Sequence, residues 1–163
     1  MFTYYFVHLS EPFDEARERL VRVVSGLDEM AVAAYREGEE IRARMGVGGE
    51  TLVVAKAVRL VVGQPVGRDG MMLLPVVWEA TGTPGLFPRM EADLVLAALG
   101  PGLTQLALRG SYTPPLGPLG RALGRTVLHR VAEASVKGFV DRVARAIDGA
   151  SRVQAAGASG RVR

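Results

Sequence analysis

The stretch GSYTPPLGPLGRALGRTVLHRVAEASVKGF (110–139) contains the end of a strand, a proline-rich break and most of a long helix. The prolines of TPPLGP (113–118) cannot continue a sheet ladder, because proline has no backbone donor. From about 119 to 148 there is no proline, and apolar or small side chains recur at three- and four-residue steps. The pattern therefore predicts a long C-terminal helix with one apolar stripe. The stripe comprises Leu119, Leu123, Val127, Val131, Ala134, Val136, Gly138, Phe139, Val140, Val143 and Ile147.

The segment before this break has the pattern of an antiparallel meander. Glycine and proline clusters separate runs in which apolar and polar residues alternate, as Met90, Ala92 and Leu94 alternate with Glu91 and Asp93. Such alternation is typical of strands with one buried face. The predicted strands lie near 39–45, 51–63, 70–81, 87–99 and 103–112.

The N-terminal segment predicts a further strand and two short helices. Residues 2–9 (FTYYFVHL) are rich in aromatic and β-branched types, which favour a strand. Helical spacing then predicts helices near 11–24 and 27–36. The fold class is accordingly α+β, with a curved antiparallel sheet of six to seven strands wrapped around the long C-terminal helix.

Composition limits the kind of protein. A chain of 163 residues with 48% hydrophobic residues is long enough for one buried core. We expect a single ligand-binding domain over 1–148 and a flexible tail over 149–163. The absence of cysteine excludes disulfides, thiolate metal sites and a cysteine nucleophile. No apolar run has the length of a membrane span and no signal peptide is evident, so we expect a cytoplasmic protein without stable membrane insertion.

Positive charge is concentrated at the C-terminal end. Residues 117–163 contain nine Lys or Arg and three acids. The solvated face of an amphipathic helix accounts for this excess, and the arginines are not interleaved with aromatic residues for base stacking. We expect no nucleic-acid partner. Docking of another partner through the basic helix remains an alternative.

Catalytic and cofactor motifs are absent from the sequence. There is no G-x-S-x-G nucleophile elbow, and the glycines of GVGG (46–49) lack the lysine of a phosphate-binding loop. His8 and His129 are the only histidines and do not have metal-ligand spacing. We therefore expect no metal and no cofactor, and the sequence leaves enzymatic activity open.

Three stretches carry a family resemblance: VVWEATG (76–82), LFPRMEADL (86–94) and the opening stretch 110–139. With this order of elements, the chain resembles the START-related, polyketide cyclase-like (SRPBCC) superfamily, whose fold is called the helix grip. The resemblance covers nearly the whole chain before the tail. It implies a cavity between the concave sheet and the last helix. Some relatives use this cavity to bind lipids, hormones or polyketides.

The candidate ligand-binding residues are those that the strand and helix patterns place on the two facing surfaces. They are Trp78, Met90, Leu94, Leu106, Leu108, Tyr112, Val131, Ser135 and Gly138. Trp78 can stack on a ligand or pack in the core, and the Tyr112 hydroxyl can orient a ligand or bond the backbone. The small side chains around Ser135 and Gly138 indicate either close packing of the helix on the sheet or space for a ligand.

The leading functional hypothesis is binding or carriage of a small hydrophobic ligand between the sheet and the C-terminal helix. The alternative is a cyclase- or dehydratase-like enzyme in which Tyr112 or His129 polarises or protonates a ligand carbonyl. That alternative requires at least one of the two side chains to point away from solvent.

Overall fold

Residues 2–27, 29–34, 58–80, 89–113, 129–130 and 132–149 are described by a computed structural model. The elements are β1 (Phe2–Leu9), α1 (Phe13–Val23), a 3-10 turn (Val24–Gly26), α2 (27 and 29–34), β2 (Val58–Val62), β3 (Val66–Arg68), β4 (Met71–Ala80), β5 (Arg89–Gly100), β6 (Leu103–Thr113) and α3 (129–130 and 132–149). The predicted α+β helix-grip architecture is confirmed, with short helices after the first strand and a C-terminal helix. None of the described helices is both long and apolar enough to cross a membrane.

The sheet is antiparallel and has the strand order β1-β6-β5-β4-β2, with β3 also paired to β4. Strands β4, β5 and β6 form the meander that alternation predicts. The first strand, β1, lies beside the last strand, β6, and in this pair Phe2 is opposite Ser111 and Leu9 is opposite Thr104. With β1 included, the described sheet has six strands.

Pro75 lies inside β4, a position that usually excludes proline because a ladder donor is lost. The strand beside it is interrupted at this level, since β2 ends at Val62 and β3 begins at Val66. Gly63 in the interruption donates its N–H to the Pro75 carbonyl at 2.8 Å. The sheet thus accommodates Pro75 by breaking the neighbouring strand, and the short β3 was not predicted from the sequence.

The concave face of the sheet is built from rows of cross-strand neighbours. Three successive rows are Leu60, Trp78, Met90 and Tyr112; then Val76, Ala92, Gly110 and Thr3; then Leu74, Leu94, Leu108 and Tyr5. Helix α3 contributes Val136, Phe139, Val140, Val143 and Ile147 to the same core, and α1 contributes Ala16 and Leu20. One hydrophobic core therefore lies between sheet and helices.

Several predicted segments lie outside the described residues. They are the strand 39–45, the run 51–57, residues 35–36 of the second helix, the stretch 81–88, the proline-rich break, residues 119–128 of the long helix and the tail after Gly149. The first helix begins at Phe13 rather than at position 11, because Pro12 has an extended backbone with φ −62° and ψ 149°.

Gly110 marks a close approach of β5 and β6. A Cβ placed on it would lie 2.8 Å from Ala92 Cα and closer still to Ala92 Cβ and the Glu91 carbonyl oxygen. Two of these three atoms belong to the backbone, so a side chain here requires the strands to separate. We expect Gly110→Ala to lower the free energy of unfolding by about 1–3 kcal/mol, as overpacked cores do.

Urea unfolding measures this effect as a lower midpoint with an unchanged slope. Gly100→Ala is the matched control, since a Cβ at Gly100 meets nothing within 4 Å and its φ is not left-handed. Equal midpoints for the two variants would contradict the close approach at Gly110.

Candidate ligand-binding site

One row of the concave face combines large side chains with slight residual exposure. Leu60 pairs with Trp78, Trp78 with Met90, and Met90 with Tyr112, so the four side chains cross strands β2, β4, β5 and β6. Trp78, Met90 and Tyr112 are 5%, 7% and 3% exposed. This set, the Trp78 row, contains two aromatic rings and a flexible thioether, which are side chains suited to an adaptable apolar wall.

Three other predicted lining residues lie deeper. Leu94 and Leu108 are fully buried in the row of Leu74, and Leu106, which pairs with Leu96, is fully buried one row further toward the opposite end of the sheet. The structure therefore places all the predicted sheet residues on one face, but it divides them between the Trp78 row and the packed centre of the core.

The helix side of the interface is formed by α3. Ser135 and Gly138 are both buried, and Val131 lies outside the described residues. One helical turn after Ser135, the Phe139 ring lies 5.5 Å from the Trp78 ring, centroid to centroid, with the ring planes tilted by 59°. This tilted pair joins β4 to the helix at the level of the Trp78 row.

A chain of polar contacts leads from the Trp78 row to the surface. The Tyr112 hydroxyl lies 3.4 Å from His129 Nδ1, and His129 Nε2 lies 3.1 Å from Glu133 Oε1. His129 and Glu133 are one helical turn apart on α3, and their side chains are 40% and 57% exposed. A carboxylate only accepts hydrogen bonds, so a proton belongs on Nε2, and in the neutral imidazole Nδ1 then accepts from Tyr112.

Burial, and secondarily the charge of Glu133, raises the pKa of Tyr112 above its ordinary value. Both effects disfavour the phenolate. The hydroxyl is therefore kept protonated in the neutral pH range. It can act as a hydrogen-bond donor and acceptor at the end of an otherwise apolar wall, but it is a poor general base.

Tyr112 and His129 were separate candidates in the sequence, whereas Glu133 was not a candidate. The four-residue spacing of His129 and Glu133 on a predicted helix was a usable signal for that pair. The contact between Tyr112 and His129 had no such signal, because it depends on how the helix returns across the end of the sheet. The structure shows that Tyr112 points into the interface, as the enzymatic alternative requires.

The basic face of α3 is partly engaged in contacts of its own helix. Lys137 Nζ lies 2.5 Å from Asp141 Oδ2 and 5.3 Å from the centre of the Tyr5 ring. Hydrogen bonds to Asp141 and then to Tyr5 raise the pKa of Lys137. Arg142 and Arg145 donate to the carbonyls of Gly138 and Asp141. Within the described ranges, no group of three or more His, Asp or Glu side chains is placed to hold a metal ion.

Comparison with known proteins is informative at the level of the fold. No family model and no curated protein sequence matches the chain. A conserved protein of Geobacillus kaustophilus matches with a TM-score of 0.56 at 15% identity, over 91% of this chain and 96% of that one.

Two further solved structures align with lower scores. A protein of Thermus thermophilus has a TM-score of 0.48 at 13% identity, over 93% of this chain and 99% of that one. The Zhui aromatase/cyclase of a Streptomyces species has a TM-score of 0.40 at 12% identity, over 89% of this chain and 94% of that one. The chain thus has an α+β helix-grip fold, which it shares over most of its length with the conserved Geobacillus protein.

Proposed function

We propose that the chain binds a small, largely apolar molecule with an oxygen-bearing group, held between the Trp78 row and the start of the described part of α3. The observation that carries this proposal is the polar chain from Tyr112 through His129 to Glu133, which begins on an apolar wall. Apolar burial supplies the driving force, and the Tyr112 hydroxyl supplies orientation.

The composition of the wall supports an aromatic or polycyclic ligand. Trp78 and Tyr112 present flat rings on either side of Met90, whose thioether adapts to irregular shapes. The slight exposure of Trp78 and Met90, against none for Leu94 and Leu108, supports a ligand at the Trp78 row.

The chemistry of Tyr112 favours a ligand with a hydroxyl or carbonyl group. A phenol hydroxyl can accept a hydrogen bond from a ligand hydroxyl or donate its proton to a ligand carbonyl. A polar group on an apolar wall discriminates between ligands, because only a ligand with a polar atom can gain a hydrogen bond from it. Selectivity for oxygen over a bare hydrocarbon is therefore expected.

Paired probes test this selectivity. We expect 2-naphthol to bind more tightly than naphthalene, and Tyr112→Phe to weaken 2-naphthol about fivefold, equal to about 1 kcal/mol for one neutral hydrogen bond. Naphthalene affinity should be nearly unchanged in this variant. Isothermal titration calorimetry measures both affinities.

The matched control is Tyr4→Phe, which removes a phenol hydroxyl from the exposed face of β1 and should leave both affinities unchanged. Equal losses for the two probes in Tyr112→Phe would argue against the hydroxyl as anchor. If neither probe binds, and native mass spectrometry finds no ligand on the protein purified from its own host, the proposed function is wrong.

A second candidate is cyclase- or dehydratase-like catalysis, favoured by the same contact between Tyr112 and His129. If the Tyr112 hydroxyl turns its proton from His129 Nδ1 to a ligand carbonyl, it can stabilise the negative charge that develops on the carbonyl oxygen. Deuterium exchange at the α-carbons of 2-tetralone distinguishes the two functions. Catalysis requires exchange that is faster with the protein and slower with Tyr112→Phe, whereas a carrier leaves the rate unchanged.

A further inference from the structure

The charge of His129 decides the direction of its hydrogen bond with Tyr112. In the neutral imidazole, Nε2 holds its proton toward Glu133 Oε1 at 3.1 Å, so Nδ1 accepts from the Tyr112 hydroxyl at 3.4 Å. In the charged imidazolium both ring nitrogens are donors, and Nδ1 then donates to the Tyr112 oxygen. Protonation of His129 therefore reverses this hydrogen bond and turns the single phenol proton away from the histidine.

The two directions of this hydrogen bond suit different ligands. While Tyr112 donates to His129, its oxygen can accept from a ligand hydroxyl, but donation to a ligand carbonyl would break the bond to His129. Once His129 is charged, Tyr112 accepts from the histidine and can donate to a ligand carbonyl at the same time. A carbonyl thus gains a net hydrogen bond only in the charged state. A ligand hydroxyl gains one in either state, because it both donates and accepts.

His129 lies where it can exchange protons with water. Its side chain is 40% exposed at the start of the described part of α3, whereas Tyr112 is 3% exposed on the inner face of β6. Histidine is also the side chain whose charge changes between about pH 5 and about pH 8. The pair therefore joins a titratable group at the surface to a hydroxyl on the apolar wall.

The other charges around this pair come from α3 and from the neighbouring strands. Glu133 contacts the imidazole from one helical turn further on, and Arg130, which follows His129 in the chain, lines a notch beside β1. On β5, Arg89 is paired with Glu91 at 3.2 Å. Because Glu133 is itself titratable, a test of pH dependence must separate its charge from that of His129.

We propose that His129 is a positioning residue whose charge sets the ligand selectivity of Tyr112, a role that rests on the proposed function. When His129 is neutral, the site favours ligands that can donate a hydrogen bond, such as phenols and alcohols. When His129 is charged, ligands that carry only a carbonyl acceptor bind more tightly than before. Since the carbonyl ligand gains its bond in the charged state, its affinity rises as the pH falls.

Isothermal titration calorimetry at about pH 8 and about pH 5 tests this selectivity with 2-acetylnaphthalene, which carries a carbonyl, and 2-naphthol, which carries a hydroxyl. We expect 2-acetylnaphthalene to bind about fivefold more tightly at the lower pH, the equivalent of one neutral hydrogen bond, and 2-naphthol to change little. At an intermediate pH, buffers of different ionisation enthalpy should show proton uptake with 2-acetylnaphthalene and not with 2-naphthol, because binding and protonation are reciprocally linked.

Variants identify the titrating group. His129→Gln cannot change charge, so the pH dependence of 2-acetylnaphthalene binding should disappear. His8→Gln is the matched control and should retain it, because His8 is the only other histidine and lies opposite Gln105, at the other end of β6 from Tyr112. Glu133→Gln keeps an amide oxygen that can accept from Nε2, so it should also retain the pH dependence. Thermal melts at both pH values show whether each variant is folded.

The wild-type pH profile decides the proposal even if a variant does not fold. If both probes bind and the affinity for 2-acetylnaphthalene is the same at both pH values, or if folded His129→Gln retains the pH dependence, His129 does not set the selectivity and the proposed function still stands. If neither probe binds at either pH, the proposed function fails and the role of His129 fails with it.

Discussion

Phe139→Ala is expected to lower the free energy of unfolding by about 3–5 kcal/mol, the range for removing a large buried aromatic side chain. Phe139 is completely buried in the middle of α3 and is in ring contact with Trp78. Its removal leaves a cavity between the helix and β4 at the level of the proposed ligand. Because Trp78 is the only tryptophan, its fluorescence reports unfolding from the wall of that cavity.

Phe2→Ala provides the comparison, because Phe2 is a phenylalanine of the same chain with most of its side chain exposed. Its removal should change the free energy of unfolding by about 0.5 kcal/mol or less. Similar losses for the two variants would show that α3 does not pack on the sheet through Phe139.

Arg19→Ala is expected to cost about 3–5 kcal/mol, because it leaves a buried carboxylate without its counter-charge. Arg19 and Glu11 are both buried and form an ion pair, and Arg19 also reaches Glu15 at 3.0 Å. The Thr104 hydroxyl donates to the Glu11 carbonyl at 2.8 Å, which ties this pair to β6. The network therefore attaches the start of α1 to the end of the sheet opposite the Trp78 row.

Arg22→Ala is the matched control for this prediction. Arg22 pairs with Glu18 at 3.7 Å on the exposed side of the same helix, so its loss should cost at most about 1 kcal/mol. A double variant, Arg19→Met with Glu11→Leu, should be more stable than Arg19→Ala, since it removes both buried charges. Chemical unfolding of the three variants measures the differences, and a double variant as unstable as Arg19→Ala would contradict a charge-based cause.

Alternation predicted the sheet well because burial on one face of a strand is visible in the sequence. The pattern around Met90, Ala92 and Leu94 placed β5 and its inward face correctly. The same alternation identified the inward-facing residues of β4 and β6, which the register then aligns in rows. Register itself was not predictable. It depends on long-range contacts such as the break between β2 and β3 that accommodates Pro75.

The buried ion pair of Glu11 and Arg19 was the main feature of the fold that the sequence did not predict. Arginine and glutamate usually lie at the surface, so nothing in the sequence indicated that Glu11 and Arg19 would be buried. Their burial follows from where α1 meets β6, which local patterns do not contain. For the same reason, Tyr112 and His129 were identified as separate candidates, and only the fold brings them into contact.

The resonance of the single tryptophan indole N–H tests the central claim most directly. In a titration of labelled protein with 2-naphthol, a ligand bound at the Trp78 row must shift this signal with the affinity found by calorimetry. Tyr112→Phe must require about fivefold more ligand for the same shift, by the loss of one hydrogen bond. An indole signal that stays unchanged at saturation, while signals elsewhere move, would place the ligand outside the interface and contradict the account.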